Sequence, residues 1–295
     1  MPVFGPTLTA ALPIGFALFV WWFSTGVIIF LDNLPRRTFL WSMLAISLLA
    51  GVSFHRLPAI SADTSVHGAY AGFVVALTVW AWQEMSFLMG VVTGPRRVAC
   101  PPDCTGLAHF RHGVQVVIYH ELAIVAGGGA IAAFGWGGAN QVALSVYMIL
   151  WGMRVSAKLC LFLGVRNVSE RFLPPHLAYL GSFFRQRPMN VLLPVSVAAG
   201  SMLSVNLIQR IAAADAGSFA SVSGTLLATM MVLGVIEHVF LVMPIPFEAL
   251  WNWYIRTRQQ PVAESEPLPV LEPCCLQTLV PCRHVAASRT SPVAR

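Results

Sequence analysis

Seven runs of about 20 predominantly apolar residues divide this chain of 295 residues. They lie near 12–31, 39–54, 67–92, 114–134, 141–165, 191–209 and 219–243. Because the hydrocarbon core of a bilayer is about 30 Å thick and an α-helix rises about 1.5 Å per residue, runs of this length can cross a membrane. The second run is the shortest. The sequence therefore predicts an all-α fold, a polytopic membrane helix bundle with about seven transmembrane helices.

The composition excludes an ordinary soluble domain. Charged residues make up only 10% of the chain and hydrophobic residues 57%, whereas soluble proteins carry about 25% charged residues. The first run lacks a basic leader and a small-residue cleavage site, so we expect a membrane span there rather than a cleaved signal. Residues 259–295 are rich in Pro, Glu, Ser and Ala without helical periodicity. This predicts a disordered tail after a helix bundle that occupies residues 1–258.

The arginines predict the orientation of the bundle. Eleven fall on one side of the seven runs: Arg36, Arg37, Arg96, Arg97, Arg111, Arg166, Arg171, Arg185, Arg187, Arg256 and Arg258. The short loops of the other side hold two, Arg56 and Arg210. Because cytoplasmic loops carry the Lys/Arg excess, we expect a periplasmic N-terminus and a cytoplasmic C-terminus. The net charge of +6 then reflects membrane topology, and no nucleic-acid partner is indicated.

A further short helix is expected near residues 175–185, on the cytoplasmic side. Leu177, Leu180 and Phe184 recur at helical spacing, and Arg185 and Arg187 follow them. This pattern is typical of a helix that lies in the membrane interface with its apolar face towards the lipid.

Five charged residues interrupt the apolar runs, and two histidines lie beside them. The charged residues are Glu84, Glu121, Arg154, Lys158 and Glu237, and the histidines are His120 and His238. At about 2.5–3.5 kcal/mol for each charge near the bilayer centre, five unpaired groups would cost about 12–17 kcal/mol, more than a typical folding free energy. Four of the five lie about 10 Å from the predicted cytoplasmic ends of their runs, and Arg154 lies one helical turn deeper. We therefore expect the third, fourth, fifth and seventh helices to bring them together in one polar layer, to which Ser24 and Thr25 of the first helix could add hydroxyl groups.

Three interpretations of this polar layer remain open. The first is a buried network of ion pairs, in which three glutamates face one arginine and one lysine. The second is a metal or tetrapyrrole site, because carboxylates and imidazoles are ligands of iron, zinc and manganese. Its candidate ligands are Glu84, His120, Glu121, Glu237 and His238. The third is a proton relay or a pocket for a charged substrate. A ferritin-like di-iron site is disfavoured, because neighbouring Glu and His residues splay about 100° apart on a helix.

A second group of candidate ligands follows the third run. It consists of Cys100, Cys104, His109 and His112. Their spacing is shorter than that of the usual structural zinc motifs, so the sequence favours a proline-stiffened cytoplasmic loop with reduced thiols over a metal site. No catalytic residue can be named, because the chain has no glycine-rich phosphate loop, nucleophile elbow or multi-histidine box.

Seven short strings between residues 20 and 253 carry a resemblance to a known family. They are Trp22–Gly26 (WFSTG), Asp32–Thr38 (DNLPRRT), Glu84–Leu88 (EMSFL), Thr93–Arg97 (TGPRR), Tyr119–Ala123 (YHELA), Arg185–Asn190 (RQRPMN) and Glu237–His238 (EH). These strings closely resemble the PuhE family of purple phototrophic bacteria, whose members are assigned to photosynthetic complex assembly. The tail after Gln259 lies outside the resemblance. No established catalytic residues come with the family.

The resemblance implies a membrane assembly factor for the bacterial photosynthetic complex, reaction centre and light-harvesting, that modulates the supply or delivery of bacteriochlorophyll. Family members are polytopic and are encoded near the reaction-centre H subunit. This implies a place in the bacterial inner membrane, cytoplasmic or intracytoplasmic. The implied partners are reaction-centre or light-harvesting subunits or the proteins of bacteriochlorophyll biosynthesis, and the implied cofactor is bacteriochlorophyll, with a divalent metal as the alternative. A non-enzymatic factor is favoured over a membrane metalloenzyme that would act on a tetrapyrrole or other lipophilic substrate through the Glu/His cluster.

Overall fold

The structure is a computed structural model and describes residues 6–168 and 173–243. Seven helices in this part of the chain are long and apolar enough to cross a membrane, which confirms the predicted all-α bundle. They are α1 Pro6–Asn33, α2 Phe39–Ala62, α3 Val66–Leu88, α4 Gly106–Phe134, α5 Val142–Leu163, α6 Leu192–Ala212 and α7 Phe219–Phe240. Short 3₁₀ segments occupy Arg36–Thr38 and Pro175–Phe183. The predicted tail, residues 259–295, lies outside the described residues.

Two helix ends differ most from the ends of the apolar runs. Helix α2 continues through Pro58 to Ala62, because a proline near the end of a helix removes only one backbone donor and the remaining turns stay hydrogen-bonded. Helix α4 begins at Gly106, whereas the apolar run begins at residue 114, so the helix includes His109 and His112. A run of apolar residues ends at the first polar side chain, whereas backbone hydrogen bonding does not depend on that polarity.

Helix α3 is central in the bundle and packs against α1, α2, α5 and α7. Helix α2 packs mainly on α3, and α6 packs mainly on α7, so both lie at the periphery. The outer faces of these two helices expose large apolar side chains, among them Trp41, Leu48, Met202 and Val205. Exposed apolar faces of this kind suit a hydrocarbon surrounding, in agreement with membrane-spanning helices.

The two halves of the bundle differ in their packing. In the half that holds the start of α3, Phe73, Ile124, Tyr147 and Leu226 are fully buried in one core. The Tyr147 hydroxyl donates a hydrogen bond to the Ile124 carbonyl oxygen at 2.9 Å. The other half, which holds the end of α3, contains the polar layer and a cavity. The orientation of these halves relative to the cytoplasm stays a prediction.

Asparagine side chains tie helix ends together. Asn140 Nδ2 lies 2.8–3.1 Å from the carbonyl oxygens of Ile60, Asp63 and Gly68, so one amide joins the α2–α3 turn to the start of α5. Asn190 likewise joins the end of α5 to the start of α6. These amide hydrogen bonds fix how the connected helix ends meet.

The segment predicted near residues 175–185 is helical, as a 3₁₀ helix. Leu177, Leu180 and Phe183 are buried and pack with Val116 of α4, so its apolar face contacts the protein. The sequence predicted that Phe184 would share this apolar face and that the face would lie towards the lipid. In the structure Phe183 takes that place, and Phe184 is half-buried. The difference arises because the three residues per turn of a 3₁₀ helix align positions 177, 180 and 183 on one side.

Candidate functional site

A cavity of about 710 Å³ lies between α1, α3, α4, α5 and α7, with the 3₁₀ segment at one end. Its apolar walls include Trp21, Ile28, Leu77, Trp80, Phe87, Met153, Phe162 and Leu233. Its polar lining includes Asp32, Glu84, His120, Arg154, Lys158 and Glu237. Five of the seven candidate site residues from the sequence thus face one cavity, and the four helices that carry them are those predicted to share the polar layer.

Glu84 of α3 and Arg154 of α5 form an ion pair at the cavity wall. Glu84 is buried, and its Oε2 accepts a hydrogen bond from Arg154 Nη2. The other carboxylate oxygen, Oε1, is buried without a hydrogen-bond partner among the described residues. This pair joins two helices that are not consecutive in the chain, and it offsets part of the cost of burying the two charges.

Glu121 of α4 and Lys158 of α5 form the second ion pair, with 2.6 Å between Oε1 and Nζ. Lys158 Nζ also lies 5.9 Å from the centre of the Phe87 ring, within the range of a cation–π contact. Because Arg154 and Lys158 are four residues apart on α5, they share a face of the helix and reach towards α3 and α4, respectively.

Glu237 of α7 is the third glutamate of the layer. Its side chain lines the cavity, where Trp21 is its hydrogen-bond partner and the positive charge of Arg154 attracts it. Trp21 therefore contacts the site from α1. Ser24 and Thr25 line the same wall, but their hydroxyls donate to the backbone of their own helix, to the Trp21 carbonyl oxygen.

His120 of α4 is the most unusual side chain of the cavity. Only 1% of the residue is exposed, and neither ring nitrogen has a hydrogen-bond partner among the described residues. Its ring packs against Phe87 with 4.5 Å between ring centres. A buried polar group without a partner costs about 1–3 kcal/mol, so a ligand that contacts this imidazole would recover that cost.

His238 of α7 is equally buried, at 1% exposed, but its surroundings differ. Nδ1 lies 2.8 Å from the Gly234 carbonyl oxygen, and Nε2 lies 3.0 Å from Ser156 Oγ. Both nitrogens are therefore satisfied within the bundle, and His238 does not line the cavity. The adjacent Glu237 does line it, which agrees with the expected splay of neighbouring residues on a helix.

The loop after α3 places His120, and sequence reasoning missed its role. The His120 backbone N–H donates to the Thr93 carbonyl oxygen at 3.0 Å, outside its own helix. Gly94 lies so close to α4 that a Cβ there would be 2.0 Å from the Gln115 carbonyl oxygen and 2.6 Å from the Val116 carbonyl carbon. The only sequence feature that points to this loop is the pair Gly94–Pro95. Such pairs also mark ordinary turns, so the pair does not reveal a contact with α4.

The glutamates and histidines of the polar layer do not gather as a metal site in the described part of the chain. Three ligand atoms within 4.8 Å of one another occur there only at Cys100, Cys104 and His109, in the loop before α4 and its first turn. A metal in the polar layer, and the metalloenzyme alternative that depends on it, stay predictions.

Comparison with known proteins identifies the family. The model of DUF3623, described as a protein of unknown function, matches residues 8–262. The chain belongs to the DUF3623 family. A relative in Rhodobacter capsulatus, an uncharacterized 30.4 kDa protein in the puhA 5′ region, is 37% identical over 259 residues, which cover 85% of this chain and 93% of the relative. No solved structure matches the chain. This DUF3623 member is therefore a multi-pass membrane protein with a relative encoded beside puhA, which suggests a photosynthesis gene cluster.

Proposed function

We propose that this protein is a membrane assembly factor for the bacterial photosynthetic complex. It holds a bacteriochlorophyll-type tetrapyrrole in the cavity and thereby modulates pigment supply to reaction-centre or light-harvesting subunits. The relative in the puhA region supports the link to photosynthesis, because genes for one assembly process are often neighbours. The residue-level support comes from the cavity and from His120.

The unpartnered imidazole of His120 is the observation that carries the proposal. A bound magnesium tetrapyrrole supplies a metal with an open axial position, and a neutral imidazole nitrogen is a common axial ligand. The chain holds His120 in place by two contacts, the Phe87 ring and the bond from its backbone N–H to Thr93. An imidazole that is fixed and unsatisfied inside an apolar cavity is prepared for such a ligand.

The size and lining of the cavity fit a large, mostly apolar molecule. Its volume of about 710 Å³ lies within the usual range of ligand pockets, about 300–1,000 Å³. Trp21, Trp80 and Phe87 offer flat apolar surfaces. Arg154 and Lys158 place donors on one wall, where they could bind the oxygen substituents of a macrocycle.

The test compares two histidines that are equally buried. The protein is purified in mild detergent from a phototrophic host that makes bacteriochlorophyll, as wild type, His120→Ala and His238→Ala. We expect the wild type to carry pigment, and His120→Ala to lose most of it at normal protein abundance. We expect His238→Ala to keep the wild-type ratio of pigment to protein, because the His238 ring is hydrogen-bonded to Gly234 and Ser156 and does not face the cavity.

The absorption spectrum and the extracted pigment give the result. A wild-type protein without pigment, or a His120→Ala variant with the wild-type ratio, would contradict pigment binding at His120. Levels of reaction-centre and light-harvesting complexes in the same strains test the assembly role separately. Unchanged complex levels in a strain that lacks the protein would contradict that role.

A further inference from the structure

Two cysteines and two histidines converge at the start of α4, where the sequence favoured a loop with reduced thiols. They form the pattern Cys-x3-Cys-x4-His-x2-His over residues 100–112. Cys100 Sγ lies 3.2 Å from His109 Nδ1 and 3.9 Å from His112 Nδ1, and Cys104 Sγ lies 3.2 Å from His112 Nδ1. The ligand atoms of Cys100, Cys104 and His109 all lie within 4.8 Å of one another, and His112 adjoins this group through its contacts with the two sulfur atoms.

The convergence depends on where α4 begins. Because the helix starts at Gly106, His109 and His112 are three residues apart on a helix and share one face. Gly106 has a φ of +59°, a left-handed conformation that lets the chain turn from the cysteine loop into the helix. The sequence alone placed these histidines in a loop, in which nothing would hold them on one side.

The sulfur–nitrogen distances are close to those of a tetrahedral zinc site. Zinc–sulfur bonds are about 2.3 Å and zinc–nitrogen bonds about 2.0–2.1 Å, so neighbouring sulfur and nitrogen ligands of one tetrahedron lie about 3.5 Å apart. The three sulfur–nitrogen distances, 3.2, 3.2 and 3.9 Å, bracket this value. Cys100 Sγ thus lies near both imidazoles at once, as one ligand of a shared metal ion would. Both histidines also present the same nitrogen, Nδ1, to the sulfur atoms.

Neighbouring groups hold the ligands in place. The Cys100 backbone N–H donates to Ser182 Oγ at 2.9 Å, which ties the loop to the 3₁₀ segment. The buried His109 ring packs between Phe162 and Phe183, with 5.1 and 5.6 Å between ring centres. Metal sites typically have such supporting contacts, which fix the orientation of the ligating ring.

We propose that Cys100, Cys104, His109 and His112 bind one zinc ion in a closed tetrahedral structural site. Binding replaces the two thiol protons, which leave to solvent, with bonds from the two thiolates to the ion. The two thiolate charges then balance the 2+ charge of zinc beside Arg96, Arg111 and Arg185. The site joins the α3–α4 loop, α4 and the 3₁₀ segment at one end of the cavity, and it does not depend on the proposed pigment binding.

The first experiment measures metal content directly. The full chain carries a tag without histidine, and Cys274→Ser, Cys275→Ser and Cys282→Ser remove the tail thiols. After expression with zinc and purification in detergent, we expect about one zinc per chain by elemental analysis. Cys104→Ser and His112→Asn should each lower this to below about one tenth.

Matched controls use one cysteine and one histidine outside the cluster. Cys160→Ala removes a buried thiol of α5, and His55→Ala removes an exposed imidazole of α2. Both variants should keep the wild-type zinc content. If Cys104→Ser keeps the same zinc content as these controls, the assignment of the ligands is overturned.

A cobalt titration tests the site even if a variant fails to fold. Zinc is removed from the purified protein with a chelator, the thiols are kept reduced and counted, and Co²⁺ is added. Thiolate-to-cobalt charge-transfer bands together with strong tetrahedral ligand-field bands, saturating at one equivalent, are expected from two thiolates and two imidazoles. Reduced protein that binds neither zinc nor cobalt would overturn the proposal, as would a Cys100–Cys104 disulfide in protein isolated without oxidant.

Discussion

Arg154 and Lys158 lie one turn apart on α5, yet each neutralises a glutamate on a different helix. A charge near the bilayer centre costs about 2.5–3.5 kcal/mol, so each pair removes a large penalty from the folded state. The penalty returns when only one partner is lost, because the remaining charge stays buried. Ion pairs of this kind therefore specify which helices are neighbours more than they add to stability.

A double-mutant cycle on Glu121 and Lys158 tests this directly. Glu121→Gln leaves Lys158 without its carboxylate and should destabilise the protein by about 3 kcal/mol, at the lower end of the buried-pair range, because each side chain is partly exposed. Adding Lys158→Met removes the orphan charge and should restore most of the loss. Thermal unfolding in detergent measures the stability of the single and the double variant. A double variant less stable than Glu121→Gln would contradict the ion-pair interpretation.

At the scale of elements, the position of α4 depends on contacts with the loop that precedes it. Residues Thr93 and Gly94 lie against α4, where Thr93 accepts the His120 backbone hydrogen bond. Gly94 allows this approach because it has no Cβ, and the nearest atoms to a Cβ would be backbone atoms that cannot rotate away. The position of His120 in the cavity thus depends on a glycine that is distant from it in sequence.

Gly94→Ala should push the loop away from α4 and destabilise the protein by about 1–3 kcal/mol, the usual cost of overpacking. We also expect faster trypsin cleavage after Arg96 and Arg97, because the loop would detach from the helix. Gly152→Ala is the control, since a Cβ at Gly152 meets nothing within 4 Å and alanine favours the helix. Equal melting temperatures and equal cleavage rates for the two variants would show that the close approach is unimportant.

At the scale of the whole molecule, the uneven division of arginines and the seven helices together predict the orientation of the bundle. An odd number of spans places the two ends of the bundle on opposite sides of the membrane, and the Arg-rich loops then all fall on one side. The polar cavity and the proposed zinc site lie in the half of the bundle next to those loops. This half is therefore predicted to face the cytoplasm.

Reporter fusions check this orientation. A fusion after Arg258 should be active as a cytoplasmic reporter, and a fusion between Ala212 and Ser218 should be active as a periplasmic one, because eleven arginines lie on one side and two on the other. Pairing two reporters that are active only on opposite sides controls for expression. The reverse pattern would place the cavity and the Cys/His cluster in the periplasmic half.

The sequence by itself determined the membrane class, the seven helices and the need for the buried charges to meet. These properties follow from local composition, because the bilayer imposes a length of apolar helix and a penalty on each unpaired charge. It also named both partners of each ion pair, although it could not assign Glu84 to Arg154 or Glu121 to Lys158. That pairing depends on which helix faces which side of α5.

Only the tertiary structure distinguished His120 from His238, two buried histidines beside a glutamate. The difference lies in what surrounds each ring: His238 meets Gly234 and Ser156, and His120 meets the cavity and Phe87. The Cys/His cluster likewise required the true start of α4 and the contacts of the loop. Hydrophobic periodicity predicts which face of a helix is buried, but it carries no information on which groups from other helices reach that face. Those contacts decide whether a buried polar side chain is hydrogen-bonded within the protein or available to a ligand.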